Sequence, residues 1–214
     1  MSPNHPITIV AIAGSLRVDS WNRRLLEAAA RLAPPGLHID VRQELGLIPL
    51  LNEDLTDEPP ALGDLRRAIA RADGVLFATP EYNHSIPGVL KNLIDWLSIT
   101  SPQPSLANKP VAILGASSGR WGTRLAQAAL RQVLLANEAL ILPSPMLFVG
   151  EVERRFDTAG QLTDPATGTA LHALLAAFGA WIDVHRAPLA VSPAQPAVAA
   201  LPPGNSPAPV LLPE

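Results

Sequence analysis

The chain has 214 residues, 48% of them hydrophobic and 16% charged, with a formal net charge of −3. That length supports one well-buried domain, and a mild negative charge without a dense Lys/Arg block gives no electrostatic basis for a nucleic-acid or membrane-surface partner. With no cysteine, disulfides and thiol catalysis are excluded, so redox chemistry would have to come from a cofactor.

The first apolar run, Ile7 to Ala13, lacks a basic start and is too short for the core and cleavage region of a signal peptide. No later run reads as a membrane span, and a cytoplasmic location is expected. Ile7–Ile12 and Leu37–Val41 read as strands, with a helix from about Trp21 to Leu32 between them, closed by Pro34-Pro35-Gly36. This is one βαβ unit. After an irregular stretch with Pro49, Pro59 and Pro60, Leu62, Leu65, Ile69 and Ala72 stripe a second helix that leads into the strand Gly74–Ala78. A third helix carries Val89, Leu90, Leu93, Ile94 and Leu97 on one face. Val111–Leu114 is a fourth strand, followed by a helix from about Thr123 to Ala136. Leu140–Leu142 with Leu147–Val149 read as one last strand interrupted by proline, and Leu171, Leu174, Leu175, Phe178 and Ile182 stripe the final helix.

Five strands separated by helices predict an α/β fold over residues 1–186. The expected architecture is flavodoxin-like: a doubly wound parallel sheet of order 2-1-3-4-5 with helices on both faces. From Ala187 the character changes. Eight of the last 28 residues are proline and no charge precedes Glu214, so residues 187–214 are expected to form a disordered tail. Pro193-Ala194-Gln195-Pro196 has polyproline-ligand spacing, but no Arg or Lys flanks it.

Three loops can carry chemistry, each at the carboxyl end of a strand, where open α/β sheets bind ligands. The first, Gly14 to Asn22, precedes a helix whose free N–H groups favour an anion. Ser15 and Ser20 add hydroxyls and Arg17 a guanidinium suited to phosphate oxygens, while Ser20 also reads as an ordinary helix N-cap. The second loop, Thr79-Pro80-Glu81-Tyr82-Asn83, follows an apolar strand. Glu81 there is either a general base or a surface carboxylate near a helix, and Tyr82 and Asn83 offer the flat area and amide bonds that a planar, polar-edged ring needs. The third loop, Gly115-Ala116-Ser117-Ser118-Gly119, matches the G-x-S-x-G nucleophile elbow of serine hydrolases, with Asp157 or Asp164 and then His172 following in the required order. Against that reading, Gly122 extends the loop and no HGG oxyanion sequence precedes it. His5, His38, His84, His172 and His185 are scattered without metal-ligand spacing, so no metal is expected, and Glu151 and Glu153 read as a solvated strand edge. No G-x-G-x-x-G or Walker sequence is present.

Taken together, Gly14-Ser15-Leu16-Arg17 with Ser20 and Asn22, Thr79 to Asn83 continuing to Asp95-Trp96-Leu97-Ser98, and Ser117-Ser118-Gly119 resemble the NADPH-dependent FMN reductase family, including its chromate and quinone reductases. The resemblance runs from about residue 7 to 185. It implies that Ser15, Arg17, Ser20 and Asn22 hold the FMN phosphate, that Pro80, Glu81, Tyr82 and Asn83 lie along the isoalloxazine ring, and that Ser117 and Gly119 contact the ring from the third loop. It also implies hydride transfer from NADPH or NADH through bound FMN, without a catalytic side chain, in a ping-pong sequence. The acceptors would be small molecules: quinones, flavins, azo or nitro compounds, or metal oxyanions. A homodimer is implied, with a homotetramer as the alternative, although some relatives build tetramer contacts with an Arg and a Tyr where Leu125 and Ala128 stand. The main alternative is a flavodoxin-type FMN electron carrier without NAD(P)H activity; a serine hydrolase using Ser117 is the second.

Overall fold

The structure is a computed structural model that describes residues 6–55, 57–99 and 104–186. The proline-rich tail expected from Ala187 lies outside these residues, as does His5.

Strands β1 (Ile7–Ala13), β2 (Leu37–Arg42), β3 (Gly74–Ala78), β4 (Pro110–Ala116), β5 (Leu140–Ile141) and β6 (Leu147–Val149) alternate with helices α1 (Trp21–Leu32), α2 (Pro60–Arg71), α3 (Gly88–Ser98), α4 (Arg124–Ala136) and α5 (Pro165–Arg186). Every pairing is parallel, in the order β2-β1-β3-β4-β5. The last strand comes in two pieces. β5 pairs with the start of β4 and β6 with its end, and Pro143 and Pro145 lie in the break. A proline has no N–H to donate, so the ladder is interrupted where they fall.

Strand periodicity divides the core into two layers. Ile9, Ala11, Leu76, Ala112 and Leu114 face α1 and α5, where Leu25, Leu26, Leu174 and Phe178 are buried. Val10, Ile12, Val75, Phe77, Val111 and Ile113 face the other way, onto Leu65, Ile69, Leu93, Leu97 and Leu130 of α2, α3 and α4. Both faces of the sheet are therefore covered, which is why β3 and β4 read as unbroken apolar runs.

Two sequence expectations change. Glu151 and Glu153 are not a strand edge. Glu151 has φ 47, in the left-handed region, and opens the short 3₁₀ turn Val152–Arg154. Its N–H donates to the Gly119 carbonyl, so the chain turns away from the sheet immediately after β6. Helix α5 has the length and apolarity of a membrane span. Its apolar stripe, Leu171, Leu174, Leu175, Phe178 and Ile182, is nevertheless packed into the core against the sheet. Hydropathy alone cannot separate a core helix from a span.

Candidate active site

Strand order reverses at β1, which is followed by β2 on one side and flanked by β3 on the other. In such a sheet, loops from adjacent strands leave in opposite directions and open a crevice at the carboxyl end. The β1–α1, β3–α3 and β4–α4 loops meet there. Ser15, Arg17, Ser20, Trp21, Asn22, Pro80, Glu81, Tyr82, Ala116, Ser117 and Ser118 line one cleft. Eight of the ten sequence-predicted residues are in it; Asn83 and Gly119 are outside its lining.

The first loop is built for anions. Ser20 has extended φ/ψ of −72° and 122°, and its hydroxyl accepts the Arg23 N–H at 3.3 Å, so it caps α1. The Arg17 N–H lies 3.4 Å from the Ser15 hydroxyl. Arg17 itself is exposed, and among the described residues its guanidinium has no partner. The Leu16, Trp21 and Asn22 N–H groups likewise find no acceptor there. Gly14 lets this loop run close to α3, since a Cβ would stand 2.9 Å from Leu90 Cδ2.

Asn22 is buried at 2% exposure. Its Nδ2 donates to the Ala116 carbonyl at 3.0 Å and its Oδ1 accepts the Ala116 N–H at 2.9 Å. The amide is therefore committed to fastening α1 to the end of β4.

In the second loop Asn83 and His84 have φ of 50° and 62°, and Tyr82 and Ser85 exchange backbone bonds at 3.0 Å each way. This is a tight hairpin of the type I′ kind, in which Asn tolerates the left-handed conformation well. It holds Tyr82, 49% exposed, at the rim of the cleft. Glu81 is neither of the two things its residue type suggested. Its side chain is only 18% exposed, and Oε2 accepts the N–H groups of Leu125 and Ala126 at 2.9 and 3.0 Å. Thr123, at the cap position of α4, makes no side-chain cap. Glu81 takes over that role from 44 residues away, placing a negative charge at the positive end of the helix.

The third loop is stiff. The Ser117 hydroxyl accepts the Gly119 N–H at 3.0 Å, while Gly122 and Glu151 both donate to the Gly119 carbonyl. A Cβ on Gly150 would fall 2.3 Å from the Arg120 carbonyl, so only glycine lets β6 pass this loop. No hydrolytic triad forms. His172 makes no hydrogen bond to Ser117 among the described residues, and the Asp164 carboxylate is taken by Thr167 and Arg155.

Trp21 and Ser118 line the cleft without having been singled out by sequence. Trp21 is the first residue of α1, and its ring lies 5.6 Å from that of Phe156. An aromatic at a helix start beside a phosphate-type loop was the available signal. A larger cavity at the other end of the sheet is lined by Glu58, Arg66, Arg67 and Lys109 among others. Its cations are already engaged: Arg66 with Glu58, Arg67 with Asp64, and Lys109 with the Ala72 carbonyl.

Residues 7–154 match the sequence model of the NADPH-dependent FMN reductase family. The chain is 43% identical over 178 residues to an NAD(P)H-dependent FMN reductase of Pseudomonas aeruginosa, covering 82% of this chain and 95% of that protein. It is 37% identical over 181 residues to a 2-hydroxy-1,4-benzoquinone reductase from a Burkholderia species, covering 84% and 98%. Among solved structures, the flavoenzyme NAD(P)H:(acceptor) oxidoreductase FerB of Paracoccus denitrificans superposes with a TM-score of 0.77 at 36% identity, covering 84% of this chain and 98% of that one.

Proposed function

Because the chain belongs to the NADPH-dependent FMN reductase family, an enzyme family that uses FMN with NAD(P)H as reductant, we propose that the cleft between the three loops holds the flavin and that the enzyme reduces small electron acceptors, quinones foremost. The observation that carries this reading is the donor set of the first loop. An unpartnered guanidinium, two serine hydroxyls and vacant N–H groups at a helix start converge on one cleft, and together they fit a phosphate monoester.

When bound, FMN supplies hydride acceptance at N5 from NAD(P)H and delivery to a second substrate that takes the nucleotide's place, a ping-pong sequence. The protein's contribution is binding and orientation. Arg17, Ser15 and Ser20 hold the phosphate, and Asn22 keeps α1 against β4 so that the phosphate and ring ends stay in register. Pro80, Tyr82 and Asn83 flank the ring from the second loop, with Glu81 anchoring that loop to α4. Ser117 and Gly119 supply the third-loop wall, whose backbone is already fixed by its own hydrogen bonds and needs little reorganisation. Acceptors beyond quinones, namely flavins, azo and nitro compounds and metal oxyanions, fit the same open ring face. Quinones come first because the relative at 37% identity is named for one. We also propose a homodimer, from the family resemblance, and a cytoplasmic location, from the character of the sequence.

The test is direct. The purified protein, loaded with FMN, is expected to be yellow, to bleach rapidly with NADPH or NADH under anaerobic conditions, and to regain colour on adding benzoquinone. A yellow protein that bleaches only slowly is an electron carrier. A protein that takes up no FMN overturns the reading altogether.

A further inference from the structure

Resting on the reductase reading above, we propose that Arg120, with the Trp121 ring beside it, and Arg124 form a subsite for the adenosine 2′-phosphate of NADPH, making NADPH rather than NADH the preferred reductant. Arg120 and Trp121 continue the loop whose Ser117 and Ser118 line the cleft, and Arg124 opens the helix that follows. Trp121 is 68% exposed. The Arg120 guanidinium lies 5.1 Å from the Trp121 ring centroid, and that of Arg124 lies 4.9 Å from the Phe148 ring. A guanidinium over an aromatic face spends no N–H group on that contact, so its donors stay available to a phosphate.

Neither arginine has an ion-pair or hydrogen-bond partner among the described residues. Arg154 and Arg155, on the segment that follows β6, are by contrast both paired, with Glu151 and Asp164. The carboxylates bonded to this loop and helix are also spent: Glu81 on the N–H groups of Leu125 and Ala126, and Glu151, whose N–H meets the Gly119 carbonyl, on Arg154. The wall therefore presents uncompensated positive charge from a stiff backbone, since the Arg120 carbonyl packs against Gly150 and the Gly119 carbonyl accepts two N–H groups.

The geometry of the reductant supplies the rest. Its nicotinamide must reach the ring between the second and third loops, so the adenosine end has to leave over one wall. The first-loop cation, Arg17, is allotted to the flavin phosphate. The third-loop wall combines two unpaired guanidiniums with an exposed indole able to stack adenine. NADPH differs from NADH only by the 2′-phosphate, a group that guanidiniums bind through paired hydrogen bonds.

Steady-state kinetics on FMN-loaded wild type, Arg120→Ala, Arg124→Ala and the double variant test this. The NADPH-over-NADH ratio of kcat/KM is expected to fall about tenfold or more in each single variant, through KM for NADPH, and to vanish in the double variant. Arg120→Lys should recover only part, because an ammonium cannot pair two oxygens in a plane. Calorimetry gives a readout independent of turnover: adenosine 2′,5′-bisphosphate should bind the wild type at least tenfold more tightly than 5′-AMP, and the double variant should lose that margin. Unchanged FMN absorbance confirms that the variants are folded. A kcat/KM ratio that does not move, or a bisphosphate that binds no better than 5′-AMP, overturns the subsite. A wild type that oxidises neither nucleotide overturns the reductase reading instead, and the calorimetry still decides the subsite.

Discussion

Arg17 is exposed and unpartnered next to two serine hydroxyls, so its guanidinium has everything to gain from a phosphate and loses no internal contact when removed. Arg17→Ala should remove a charge-assisted interaction worth about 1.5–3 kcal/mol and weaken FMN by roughly 10- to 150-fold. Fluorescence titration of flavin into the folded variant measures this, and unchanged affinity would take Arg17 out of the site. Ser117 is a contrasting case. Its hydroxyl accepts one neutral bond from the Gly119 N–H. Ser117→Ala should therefore cost about 0.5–1.5 kcal/mol and slow NADPH oxidation no more than roughly tenfold. A serine nucleophile would behave differently, with ester hydrolysis collapsing by about 10⁶-fold on the same change in the best-studied case. Assaying both activities on wild type and variant separates the two.

At the scale of elements, the site depends on how the second loop and α4 are joined. α4 has no local cap, and the Glu81 carboxylate satisfies two of its first N–H groups from another loop. Glu81→Ala leaves those two donors without their acceptor, one of them partly buried. The expected loss is about 1–2 kcal/mol, roughly 2–8 °C in Tm for a chain of this size. FMN should also dissociate faster, because two walls of the cleft come loose together. Glu81→Gln keeps an acceptor oxygen but not the charge, so partial recovery of both quantities is expected. Thermal melts and flavin release rates on the pair check it: a Glu81→Ala protein with wild-type values for both would show that the tie carries no energy.

For the molecule as a whole, one ion pair ties the end of the described chain back to the sheet. Asp73, just before β3, accepts the Thr8 N–H of β1 at 2.8 Å and pairs with Arg186 at the end of α5. Burial alone would push the Asp73 carboxyl up, but the Arg186 hydrogen bond and the Thr8 N–H outweigh it and hold the carboxyl below its ordinary value of 3.8. A depressed carboxylate contributes stability that is complete above the ordinary value and is lost as pH falls through the lower folded one. Asp73→Asn should therefore lower Tm by about 3–12 °C near neutrality, from about 1.5–3 kcal/mol, and the gap to wild type should close as pH drops below that ordinary value. Melting curves from pH 7 to pH 2 measure it; a gap that stays constant with pH would mean that the charge is not responsible.

The order of elements was legible in the sequence because it is written in local periods. Two-residue and 3.6-residue repeats of apolar side chains gave α1 its bounds at Trp21 and Leu32, placed the strands, and through their alternation implied a parallel sheet with its loops at one end. The residue types of the cleft were legible for the same reason, since Gly, Ser, Arg and Tyr after a strand announce a loop. Which groups those residues would touch was not. The Asn22 side chain proved to be a clamp on Ala116, 94 residues away, which leaves only its N–H for a phosphate, and Glu81 turned from a base or surface charge into the cap of α4. The burial of α5, the left-handed turn at Glu151 and the unpaired arginines over Trp121 and Phe148 were likewise settled only by packing. A hydrogen bond between distant segments depends on where the whole sheet brings its ends, and no window of neighbouring residues carries that information.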